Sequence, residues 1–238
     1  MINMDAYIQE NEMSEKLKLF KDVYDKDGNS RYKSFDHCRK CFIENRNKKD
    51  NYDLIALNLY AYLASWGMLR NSFLMQKDYL FNLKVVEILC NEKYDNLLNY
   101  NPFSATEKDD EMIIKLKEEI SNYYKGKKYY SEGNSKKEIK DVSETLISKI
   151  ILGTFGCIIA YDRYVKAALS NYKIKQTLTK ESLLQIRLFA KKYQEEIVDQ
   201  LGNYDKTIYT PIKIIDTYLF EKGKEIEMSK KHLINSNN

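Results

Sequence analysis

The chain has 238 residues and a net charge of +4, and it holds only 8 Gly and 2 Pro, where an average composition would supply about 28 of the two together. Turn-rich all-β architectures are therefore disfavoured. With 43% apolar residues, 31% charged residues, 20 Tyr and a mean hydropathy of −0.60, the chain is too aromatic for a disordered polymer and too polar for a membrane protein. A chain of this length buries about 70% of its unfolded surface, which fits one globular unit or two small ones.

Met13, Leu17, Phe20 and Tyr24 recur at helical spacing, and the run Asp25 to Ser30 breaks the pattern. Phe35, Cys38, Cys41 and Phe42 continue a second helix, and 45–51 is a polar connector. A third helix is expected over Tyr52 to Arg70. Apolar residues cover most of its circumference, so it is expected to be the buried spine of the core. Its charge-free stretch Leu54 to Leu69 is 16 residues long, shorter than the roughly 20 apolar residues that cross a bilayer. A helix through Leu83, Val86 and Leu89 and a short one near Leu97 end at Asn101-Pro102, because proline disfavours α geometry in the residue before it.

Thr106 and Asp109 form a capping pattern ahead of the stripe Ile113, Leu116, Ile120 and Tyr123. Residues 125–137 read as a basic, Tyr-rich linker, and Ile139, Val142, Leu146 and Ile150 open another helix. Gly153 and Gly156 predict a turn or kink. Thr179 caps a helix that buries Leu183, Ile186, Ala190, Tyr193, Ile197 and Leu201 and ends at Gly202. Pro211 starts the last one, with Ile212, Ile215 and Leu219 inward and a frayed tail over 229–238. There is no internal repeat and no strand pair with a hairpin signal. The expected fold class is all-α, a compact multi-helix bundle of about nine or ten helices. It forms one domain or two helical halves, 1–124 and 138–228.

Compartment is bounded only loosely. The N-terminal residues Met1 to Tyr7 hold no basic segment leading into an apolar stretch, so no secretory signal is expected. Four Cys do not make the dense framework of a small secreted domain. A cytoplasmic protein with reduced thiols and no membrane contact is the expectation. The heavy use of Lys, Asn, Ile and Tyr is the habit of an AT-rich, bacterial genome.

Cys38 and Cys41 have half of a zinc spacing. Only Cys90, Cys157 and His232 could complete it, singly and from far away, and an apolar helix face explains both cysteines better. Asp25 to Asn29 has oxygen ligands at alternate positions, but aligning Gly28 with the glycine of a calcium loop puts Val23 and Ser34 where ligands belong. No metal and no cofactor are expected. Arg31 and His37, six positions apart, resemble the Arg-to-His spacing of the HEPN ribonucleases, helical proteins in which those residues serve RNA cleavage. An ordinary packed histidine is the competing account.

Lys149 to Gly156 followed by Ala160-Tyr161-Asp162-Arg163-Tyr164-Val165 is similar to the glycine turn and Asp-containing helix of helix-hairpin-helix DNA glycosylases. The resemblance implies that Gly153 and Gly156 turn their amides to DNA phosphate and that Asp162 is the catalytic acid. The competing account makes Asp162 a cap or an ion-pair partner.

Charge counting gives the remaining signal. Residues 123–137 hold five Lys and one Glu, a net +4 that equals the charge of the whole chain. Four Tyr are interleaved with them. Lysines draw in phosphates by counterion release, and exposed rings stack unpaired bases. Lys125, Lys127, Lys128, Tyr129, Tyr130, Lys136 and Lys137 are thus the candidate nucleic-acid contacts. The preferred reading is a non-catalytic helical binding module for nucleic acid or a protein partner. The alternative is a nucleic-acid-processing enzyme, and a homodimer through the Trp66 helix is a third possibility.

Overall fold

A computed structural model describes residues 8–9, 11–70, 72–131 and 135–236, with side chains as far as Lys231 at the C-terminal end. Among them are ten α-helices: α1 (Glu12–Lys26), α2 (Lys33–Asn45), α3 (Tyr52–Ser65), α4 (Leu83–Leu89), α5 (Glu107–Tyr124), α6 (Glu144–Phe155), α7 (Arg163–Asn171), α8 (Lys180–Lys192), α9 (Gln194–Leu201) and α10 (Pro211–Ser236). Short 3-10 turns fill the path between α3 and α5. The fold is all-α, as the periodicity predicts.

The expected caps form. Asp109 accepts a hydrogen bond from the Thr106 amide at 2.7 Å. Ser143 accepts from the Leu146 amide at the head of α6, and Thr179 accepts from the Ser182 amide at the head of α8. Thr210 accepts from the Lys213 amide, directly before Pro211. Each satisfies a donor that a helix start would otherwise leave unpaired.

One apolar core runs from Ile8 to Phe220. Elements of both halves interleave in it: α1 lies on α10, α2 and α3 on α6, and α5 on α8. Positions 125–137, expected as a linker, instead carry a two-stranded antiparallel hairpin, β1 (Lys128–Tyr130) and β2 (Lys136–Glu138). The hairpin is set by its base. The Gly126 amide donates to the Ile139 carbonyl and the Ile139 amide to the Lys127 carbonyl, both at 2.9 Å. Ile139 is buried, so it anchors the ribbon rather than opening α6.

Three further expectations change. The buried spine is α6, not α3: every residue from Leu146 to Phe155 is buried, whereas α3 ends at Ser65 and exposes Leu54 and Leu57. The single helix expected after Thr179 divides at Tyr193, whose φ of −113° and ψ of 29° leave the α region. The C-terminal segment from Ser229, expected to fray, continues as helix to Ser236.

Helix α10 packs more intimately on α7 than on any other element. The contact closes over Gly223, where a Cβ would stand 1.8 Å from the Tyr164 carbonyl oxygen. Backbone cannot yield like a flexible side chain. Gly223→Ala is expected to cost at least about 1–3 kcal/mol through overpacking, read as a lower midpoint in urea denaturation. An unchanged midpoint would show that the two helices do not touch there.

Candidate functional site

Two interior ion pairs lie around one indole ring. Lys149 of α6 donates to Asp162 at 2.9 Å, with side-chain exposures of 4% and 14%. Lys213 donates to Asp216 one turn along α10 at 2.8 Å, with exposures of 4% and 6%. Trp66, which ends α3, joins them: the Lys149 ammonium is 4.6 Å and the Lys213 ammonium 6.0 Å from the indole centre. Phe20, Tyr62, Ala160, Thr217 and Phe220 close the rest of the wall. The enclosed space is only about 10 Å³, at most the room of a single water.

Every carboxylate oxygen of the two pairs is occupied. Asp162 Oδ1 accepts from the Tyr164 and Val165 amides at 3.0 and 3.1 Å, capping α7, while Oδ2 takes Lys149. Asp216 Oδ1 accepts from the Ala160 amide at 2.8 Å and Oδ2 takes Lys213. Asp162 therefore has the environment of a cap and an ion-pair partner, the account that competes with the catalytic acid implied by the glycosylase resemblance. The glycines depart from it too. Gly153 lies inside α6, where a Cβ would meet the Tyr62 ring at 2.5 Å. Gly156 is the left-handed residue that ends α6, with φ 62°, and its amide bonds back to the carbonyls of Ile151 and Leu152. Both glycines are buried, and the Gly156 amide has no donor left for a phosphate.

Arg31 and His37, by contrast, share one groove. With Lys33, Ser34, Asn58 and Ser65 they line a groove of about 350 Å³, and both are exposed. The Arg31 guanidinium stands 5.4 Å from the Tyr32 ring centre and 5.3 Å from that of Trp66. Among the described residues no carboxylate lines the groove. Trp66 thus carries an exposed arginine as well as the buried ammonium groups. Its ring also packs on Tyr32 and Phe220 of its own chain, so the apolar surface that α3 leaves exposed is Leu54 and Leu57 rather than Trp66.

The cysteines are spread through the packing. Cys38 is buried, which pushes its thiol well above the usual range, and burial raises Cys157 to about 12. Cys41 is half-buried and points a weak donor at the Leu54 carbonyl, 3.8 Å away. Among the described residues no three His, Cys, Asp or Glu side chains gather around one point. Asp27 closes its loop by accepting from the Asn29 amide. The His232 side chain lies outside the described residues.

The hairpin keeps most of its charge in water. Lys128, Lys136 and Lys137 are exposed, and Tyr130 is 59% exposed. Lys125 reaches Asp141 only at 3.9 Å, and Lys127 lies over the Tyr123 ring. Tyr129 turns the other way, onto Phe73. Glu132, Gly133 and Asn134 lie outside the described residues. No helix of the described residues is long and apolar enough to cross a membrane.

The Lys213–Asp216 pair and Trp66 were not candidates from sequence. A signal existed: Lys213 and Asp216 stand three apart inside Ile212 to Leu219, an otherwise apolar helix stretch, where two charges invite a buried pair. No protein-family model matches the chain, and no curated protein and no solved structure matches it.

Removing one partner of a buried pair leaves an uncompensated charge. Lys213→Met is expected to destabilise the fold by about 3–5 kcal/mol. Adding Asp216→Leu recovers part of that loss and leaves about 1–3 kcal/mol, because the Ala160 amide then lacks an acceptor. Urea melts of the two single variants and the double variant measure both effects, and additive losses would contradict the pairing.

Proposed function

We propose that the chain is a non-catalytic α-helical binding module that contacts single-stranded nucleic acid through the outward face of its hairpin. One observation carries this reading. In an antiparallel ribbon, alternate residues and their cross-strand partners share a face, so the pairing of Tyr130 with Lys136 and Lys128 with Glu138 puts one ring and two ammonium groups on one face, in excess over the single carboxylate of Glu138. The opposite face, with Tyr129 toward Phe73, rests on the body of the protein. A ring between two lysines is the arrangement that a stacked base flanked by phosphates requires. The proposal places the protein in the cytoplasm, in keeping with its four free thiols.

Fluorescence anisotropy with single-stranded and duplex oligonucleotides over a salt series tests it. Tyr130→Ala is expected to weaken single-strand binding by about 1–3 kcal/mol. Lys128→Ala with Lys136→Ala should lower the slope of log K against log salt by about 1.4, near 0.7 for each lost phosphate contact. Binding that is absent in the wild type, or untouched by these changes, would end the proposal.

A second reading draws on the groove. Arg31 and His37, the pair that resembles the HEPN ribonucleases, face one solvent-filled concavity free of carboxylates, which suits an anionic substrate. In this reading wild-type protein cleaves single-stranded RNA, and Arg31→Ala and His37→Ala each abolish cleavage without changing the melt. Intact RNA after prolonged incubation with wild type leaves the binding module standing alone.

A further inference from the structure

The groove that holds Arg31 and His37 has two walls. One is the loop 28–32 with the first turns of α2, on which Lys33 and His37 lie one turn apart on the same side. The other is the side of α3 that carries Asn58, Ala61 and Ser65 at helical spacing. The Ser34 hydroxyl donates to the Arg31 carbonyl at 2.6 Å and so ties the loop to the helix. Arg31, Lys33 and the His37 imidazole thereby share one concavity.

The fold does not account for this charge. Arg31 and Lys33 flank the start of α2, the positive end of its dipole, where cations are disfavoured. Asp36, the acid of that first turn, accepts from the Tyr24 hydroxyl and does not line the groove. Among the described residues the side chains of Arg31 and Lys33 touch ring faces: Arg31 lies 5.4 Å from the Tyr32 and 5.3 Å from the Trp66 centre, and Lys33 5.1 Å from that of Tyr24. Rings hold the guanidinium in place and leave its planar fork of N–H donors, which matches two oxygens of one phosphate. The volume of about 350 Å³ falls within the roughly 300–1,000 Å³ of small-molecule sites, more than a bare phosphate fills. Asn58, whose Nδ2 donates to the Leu54 carbonyl, keeps its Oδ1 for a hydroxyl or amine on the rest of the ligand.

We propose that this groove binds the terminal phosphate of a phosphorylated small molecule, with the Arg31 fork and the Lys33 ammonium on the phosphate oxygens and His37 as a third donor. The inference rests on the groove of the second reading above and deepens it by naming the group recognised; it requires no bond to be cut. A phosphate monoester carries about −1.5 to −2 charges at neutral pH. It is favoured over a singly charged diester, because two side-chain cations and the positive end of α2 act on it together.

Trp66 is the single tryptophan of the chain, and its contact with Arg31 makes its emission a reporter of the groove. Adenosine monophosphate and ribose phosphate are the probes, adenosine and dimethyl phosphate the controls, and calorimetry gives the affinities. At least one monoester is expected to bind wild type and shift the emission, and adenosine to do neither. Arg31→Lys keeps the charge and loses the fork, and is expected to weaken binding about fivefold. Arg31→Ala with Lys33→Ala is expected to weaken it about a hundredfold. Arg31 is exposed, so the Arg31→Lys variant is expected to keep the wild-type melting temperature. Three results would overturn the inference: no binding of either monoester by wild type, dimethyl phosphate bound as tightly as the monoester, or undiminished affinity in either variant. RNA cleavage without monoester binding would sustain the second reading and overturn this one.

Discussion

The connection from α6 to α7 is an irregular segment in the middle of the protein, with every residue from Gly156 to Tyr161 buried. A buried loop has no ladder of its own, so each of its polar backbone groups needs a side chain or must go unpaired. The surrounding helices supply them. Thr210 donates to the Gly156 carbonyl, and Asp216 accepts from the Ala160 amide. Ser148 accepts from the Tyr161 amide, and Thr145 donates to the Tyr161 carbonyl. Arg39 of α2 ties the last turn of α6, at the Thr154 carbonyl, to the Ile208 carbonyl ahead of α10. Burial lowers the Arg39 pKa only to about 10, so the clamp stays charged at neutral pH. Helices α6 and α10 are thereby fixed to one loop, with α2 clamped beside it.

That requirement explains the two charge pairs beside Trp66. Asp216 is placed to hold the Ala160 amide, and once ionised inside the core it needs Lys213 beside it. Asp162 caps α7 at the end of the same loop and needs Lys149. A hydrophobic pair of equal volume can match a buried salt bridge in stability, but it cannot accept from a backbone amide. The cluster that first draws the eye as a catalytic centre is thus a set of loop fasteners, and Trp66 covers it with an aromatic face that two ammonium groups already use.

Much of the architecture is legible in the sequence wherever one surface decides it. The stripes of α1, α2 and α5, the Thr106–Asp109 pair and Pro211 all depend on neighbours within a turn. The failures share a cause in tertiary context. Leu54 and Leu57 make α3 look buried all round, yet nothing packs over them, while α6 carries Ser148, Lys149 and Thr154 and is still the spine because each finds a partner. The strands at 128–130 and 136–138 have no apolar alternation, since their register comes from Ile139 and from Tyr129 against Phe73. Asp162 was visible as a charged residue ahead of a helix, and both a cap and a catalytic acid look like that. Lys213 and Asp216 needed the position of Ala160, 56 residues away, which no local pattern holds.

Saturation then sorts the charged groups into those that hold the fold and those available to a ligand. Asp162 and Asp216 have each oxygen bonded, and Arg39 donates to two carbonyls, so these groups hold the fold. Among the described residues the Arg31 side chain touches only ring faces, Lys128 and Lys136 stand in solvent across one ribbon beside Glu138, and Asp50, Asp53 and Glu92 are exposed at the rim of a cleft. These groups gather in a groove, a ribbon and a cleft. Like charges gathered on one surface repel each other in the free protein, and an oppositely charged partner relieves that repulsion while gaining counterion release. Binding chemistry in this chain is therefore to be sought where charge is left unpaired at the surface, on elements that the paired charges of the interior hold rigid.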